Sequence, residues 1–117
     1  MKETIDTIRK WHKEIFPDAT LEGQFSKFNE EKTEMMMAIG THRLEELADM
    51  YIVSCGIARF NYAMGLDRML QTLNSLRNYT IQELLYAVES KMEINKKRKW
   101  QKSNGLYHHI EKGDKND

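Results

Sequence analysis

The chain has 117 residues, 40% of them hydrophobic and 31% charged, and a formal net charge of zero. That length suits one domain with its own core, and the balanced charge argues against a protein that coats nucleic acid. A single cysteine, Cys55, excludes an internal disulfide framework, and no apolar run approaches the ~20 residues needed to span a bilayer.

With one proline and six glycines, few points interrupt a helix. A first helix is predicted over roughly Lys2–Phe16, with Ile5, Ile8, Trp11/His12 and Ile15 on one side and Pro17 as its end. The opening MKETIDTIRKWHKE lacks a signal-type apolar stretch, which makes the cytoplasm the expected location. Thr20 can cap a second helix reaching Ile39; Gly40 stops it, and Thr41 can cap a third, His42 to Met64, closed by Gly65. A shorter helix, Leu66 to Leu76, follows. The last begins with a capping box from Thr80 to Glu83 and runs to Trp100 along the stripe Ile81, Leu84, Leu85, Val88 and Met92. Residues 1–105 are thus read as a single all-α bundle of about five helices, with a central antiparallel pair. The polar stretch from Gln101 is expected to be ragged, at least past Glu111, and 106–117 to be a flexible C-terminal tail.

The third helix is apolar almost all round: Met50, Val53, Ile57 and Phe60 on one side, Leu44, Leu47, Ala48, Tyr51, Cys55 and Ala58 on the other. Such a helix belongs at the centre. So few helices can hardly wrap it unaided, which predicts a homo-oligomer, a two-fold dimer or a tetramer. Met35 to Met37 then read as adaptable packing at a subunit interface.

Acids interrupt these apolar faces. Folded about Gly40, the second and third helices bring Glu34 (six residues before) level with Glu46 (six after), and Glu31 (nine before) level with Asp49 (nine after). At ~1.5 Å per residue the two rungs lie about 9 Å and about 13–14 Å from the bend. Glu30 and Glu45 point about a quarter turn away. No Lys or Arg falls at the facing positions, so four like charges near a core must protonate or meet a cation. Oxygen donors of this kind suit a hard divalent ion, Mg²⁺ or Mn²⁺. A ferritin-like di-iron centre would need Glu-x-x-His, which is absent.

On the last helix, Lys91, Asn95 and Arg98 share one stripe, with Lys96, Lys97 and Lys99 spread around it. This is either a surface for a polyphosphate and a sugar hydroxyl, or a solvated basic end that complements the helix dipole.

The run Glu30-Glu31-Lys32-Thr33-Glu34 followed by Glu46-Leu47-Ala48-Asp49 resembles the E-E-x-x-E … E-x-x-D signature of MazG-like all-α nucleoside triphosphate pyrophosphohydrolases, relatives of the dimeric dUTPases. The resemblance covers about residues 20 to 105. GQFSKFNEE and KMEINKKRKW add to it, and some small members are phage-encoded. It implies Mg²⁺ ligands at Glu31, Glu34, Glu46 and Asp49, and catalytic roles for Glu31 and Glu34, with Glu30 helping to orient water. It also implies phosphate or sugar contacts at Lys91, Asn95, Lys97 and Arg98. The reaction implied is cleavage between the α- and β-phosphates of a (d)NTP, giving a monophosphate and pyrophosphate, as in clearing the nucleotide pool. The eleven residues between Glu34 and Glu46 stand at or just below the short end of that family's range.

Of the remaining residues, Trp11 reads as core rather than as a base-stacking ring, while Phe28, beside the acids, is the better candidate for a base-pocket wall. His42 reads as a hairpin cap, Cys55 as a buried hydrophobe, and His108 and His109 as surface. No glycine-rich phosphate loop or nucleophile elbow occurs. The rival readings are a non-catalytic helical protein binding nucleic acid through the basic last helix, which leaves the inward acids unexplained, and a magnesium-sensing regulatory bundle.

Overall fold

The computed structural model describes residues 2–98, 100–103 and 106–109, with side chains through Arg98 and at Trp100. Five helices follow one another: α1 (Ile5–Ile15), α2 (Leu21–Met37), α3 (Thr41–Phe60), α4 (Tyr62–Asn74) and α5 (Ile81–Lys97). A two-stranded antiparallel ribbon follows, β1 (Trp100–Ser103) paired with β2 (Leu106–His109). No helix of the described residues is long and apolar enough to cross a membrane.

Side-chain caps set several of the starts. Thr20 Oγ1 accepts from the Gly23 amide at 3.0 Å. Thr80 and Glu83 close a reciprocal box at 3.0 and 2.9 Å, satisfying amides the first turn of α5 would otherwise leave open. Between α2 and α3, Gly40 takes a positive φ of 61°, a backbone state that disfavours side chains. Gly40 itself occupies the cap position, and Thr41 is the first helical residue rather than the cap. Tyr79 donates its hydroxyl to the Gly40 carbonyl at 2.7 Å, tying this turn to the segment before α5.

α3 is the axis of the molecule and packs against α1, α2, α4 and α5. Residues 46–58 are buried within one chain, apart from half-buried Asp49. The bundle therefore wraps its central helix unaided, and that reason for a second subunit falls away. Met36 and Met37 are open to solvent, while Met35 is core.

The α3–α4 boundary lies earlier than the sequence suggests. Asn61 ends α3 and caps α4, its side chain accepting from the Met64 amide at 3.0 Å. Gly65 is no stop: it sits inside α4, where an added Cβ would come within 2.4 Å of Ala58 Cβ. The missing side chain lets α4 cross α3 at backbone distance. At the other end, α5 stops at Lys97 rather than Trp100, and within the stretch expected to be ragged Gln101–Ser103 pair with Leu106–His108 in the ribbon. Residues 110–117 and the side chains of His108 and His109 lie outside the described set.

Candidate metal centre and adjoining pocket

The antiparallel α2–α3 pair brings Glu31 against Glu46 and Asp49, with one oxygen of each within 4.8 Å of the others. Glu31 and Glu46 are 8% and 6% exposed. Burial, then the neighbouring Asp49 charge, pushes the Glu31 carboxyl up to about 8. Burial, followed by the contact with Glu34 and the charge of Asp49, raises Glu46 to about 8. Asp49 is also raised, mainly by burial, although Lys91 and Arg98 pull it back. Three carboxyls thus share a space too dry and too acidic for all of them to ionise without a cation.

Glu34 does not join this trio; its residue is exposed and it meets the cluster through Glu46. Glu30 is exposed and paired with Lys27 at 3.3 Å. Two cations approach the acids from outside the facing positions. Lys27 Nζ reaches to 3.9 Å from Glu31, and Lys91 Nζ lies 3.4 Å from Asp49. Lys27 comes from the same helix one turn earlier, and Lys91 from α5, so neither occupies a facing position of the hairpin.

The acids line one end of a pocket of about 480 Å³. Lys91, Asn95 and Arg98 line it too, the expected stripe of α5 and its C-cap. Arg98 donates to Asn95 Oδ1 at 3.4 Å, and the Asn95 carbonyl accepts from Trp100 Nε1 at 3.3 Å. Lys97 is exposed and outside this lining, because the helix turns it away from its neighbour Arg98. Lys96 is likewise committed elsewhere, to Glu3 at 2.6 Å. Phe28 is 1% exposed and belongs to the core, so it is no pocket wall.

The other end of the pocket is one the sequence did not reveal. Trp11, Phe16 and Trp100 meet edge to face, with ring centroids 5.4, 6.2 and 5.0 Å apart, and Trp11 both packs against the core and lines the pocket. Beside them stand Gln24 and buried His12. Burial, and then the Arg59 charge, hold the imidazole down at about 4, so it is neutral near pH 7. Gln24 hydrogen-bonds to it, and Arg59 Nη1 approaches His12 Nδ1 at 3.1 Å. Gln24 had a sequence signal: with Lys27, Glu31 and Glu34 it forms one helical stripe. Trp100 had none, since the basic run before it reads as continuing helix.

No protein-family model, curated protein or solved structure matches the chain.

Proposed function

We propose that the chain is a Mg²⁺-dependent nucleoside triphosphate pyrophosphohydrolase of MazG-like type. The observation that carries this reading is a carboxyl trio, two of its members buried, lining one pocket with Lys91, Asn95 and Arg98. The donor set fits a hard divalent ion: oxygen ligands only, close together, on carboxyls that burial and neighbouring acids make costly to ionise without a cation. Glu31, Glu46 and Asp49 would hold the ion, with Glu34 at the rim; Mn²⁺ suits the same donors. The chemistry such an ion supplies is neutralisation of phosphate oxygens and acidification of water.

The remaining work falls to side chains. Lys91 and Arg98 bind phosphate oxygens and favour the charge that builds on the departing pyrophosphate. Asn95 offers both a donor and an acceptor to a sugar hydroxyl. Water attacks the α-phosphorus as the bridging bond to the β-phosphate breaks. Glu34, open at the rim, accepts the proton that water gives up, and Glu30 beside it helps to orient that water. Nucleic-acid binding through α5 is the weaker alternative, because Lys96 is tied to Glu3 and carboxylates crowd the neighbouring surface.

Incubation with a (d)NTP panel and Mg²⁺ tests the proposal. Monophosphate plus pyrophosphate supports it, and Asp49→Asn and Glu34→Gln should abolish the product while the helical spectrum stays intact. Diphosphate plus inorganic phosphate would mean a different bond is cut. No turnover, with tight salt-dependent DNA binding, would favour the alternative.

A further inference from the structure

The polar chain at the aromatic end fixes a direction. Arg59 is anchored by the carbonyl oxygens of Phe16 and Pro17, to which it donates at 2.8 and 3.3 Å. Its Nη1 also lies 3.1 Å from His12 Nδ1. A guanidinium has donors only, so Nδ1 must accept. In the neutral imidazole the proton then sits on Nε2, which is a donor. Gln24 must answer it with Oε1, and that oxygen and Nε2 do lie together over Gly56, within 2.7 and 2.9 Å of where a Cβ would stand. The amide of Gln24 cannot flip without setting donor against donor. Its NH₂ group is therefore the end left for the pocket, whose wall Gln24 forms.

Gln24 stands seven residues before Glu31 on α2, about 10 Å along the axis at ~1.5 Å per residue. That span is of the order of one nucleoside. With phosphates held at the acidic end, the base edge remote from the sugar arrives near Gln24. We infer that the Arg59–His12–Gln24 chain selects nucleotides whose base carries a carbonyl, rather than an amino group, on that remote edge. The inference rests on the pyrophosphohydrolase reading and adds a substrate class to it. Gln24 is the contact; His12 and Arg59 are positioning residues that keep its amide the right way round. An amino base at this wall would leave two donors facing each other with no acceptor, a cost that discriminates well.

The test compares kcat/KM for pyrophosphate release within each ring size: dUTP against dCTP, and dITP against dATP. Wild type should favour the carbonyl base by about tenfold or more in any ring size it accepts. Gln24→Glu, with an acceptor in place of the donor, should collapse or invert that ratio. His12→Phe frees the amide to turn, so the ratio should drop toward one; a general loss of packing would slow both substrates alike. Turnover with no carbonyl preference, or a preference untouched in Gln24→Glu, overturns the inference and leaves the parent reading standing. No turnover of any triphosphate overturns both.

Discussion

Lys91 Nζ lies 3.4 Å from Asp49 Oδ2, joining α5 to the central helix at the edge of the acid trio. Both side chains are largely sheltered, at 19% and 22% exposed, so the pair is screened less than a surface ion pair. The ammonium supplies part of the positive charge the carboxyls call for, and it stands where a phosphate would enter. Lys91→Met should lower kcat/KM for triphosphates by about 10- to 100-fold, the worth of one charge-assisted hydrogen bond. Lys91→Arg should recover only part of it, because a planar fork does not replace a compact point charge. Steady-state kinetics on both variants decides; wild-type kcat/KM in Lys91→Met would remove the lysine from the substrate contacts.

The raised carboxyls make stability depend on pH in an unusual sense for acids. Glu31 and Glu46 move from the ordinary 4.5 up to about 8, so the fold prefers their protonated forms. Their contribution is fully present below about 4.5 and is lost as pH rises through about 8. A divalent ion requires the opposite state, so its binding releases protons in that window. The melting-temperature gain from Mg²⁺ should therefore grow with pH across the window and level off above it. Thermal melts with and without MgCl₂ over that range check the trend; a gain that shrinks with rising pH would exclude carboxylate ligation.

The acidic hairpin was legible because its logic is local. Gly40 marks the bend, and equal counts on either side set Glu31 against Asp49 and Glu34 against Glu46. Periodicity resolves angles only coarsely, however. It could not tell that Glu34 stays at the rim, or that Phe28 turns fully inward while Trp11 faces the pocket. Glycine was ambiguous in kind: Gly40 breaks a helix, whereas Gly65 lets two helices touch, and the residue type is the same for both. The aromatic end depends on α1, α2 and β1 meeting, a tertiary event that no single window of sequence contains.

Gly65 supports a prediction about stability alone. A Cβ there would stand 2.4 to 2.6 Å from the Cβ, Cα and N of Ala58, and backbone atoms have nowhere to go. Gly65→Ala should force α4 away from α3 and cost about 1–3 kcal/mol, despite the higher helix propensity of alanine. A melt should show a drop of several degrees. An unchanged or raised melting temperature would mean that the two helices cross less tightly.

Two variants of the acid trio should differ in stability when Mg²⁺ is withheld, Glu46→Gln standing above Asp49→Asn. Glu46 has acids about it, Glu34, Asp49 and Glu31, each raising its pKa. Glu46→Gln removes one of these like charges while keeping the shape, so above about pH 8 the metal-free protein should gain about 1 kcal/mol or more. Asp49 differs because it holds Lys91. Asp49→Asn relieves the same repulsion but leaves a sheltered ammonium without its counter-charge, so it should gain less or lose stability. Both variants should lose the Mg²⁺-dependent rise in melting temperature predicted for wild type. Chelator-treated samples, melted side by side with and without added ion, give all the comparisons. A fall in stability for Glu46→Gln would mean that the carboxyl is satisfied by the protein itself, and a centre built to await a cation would not behave that way.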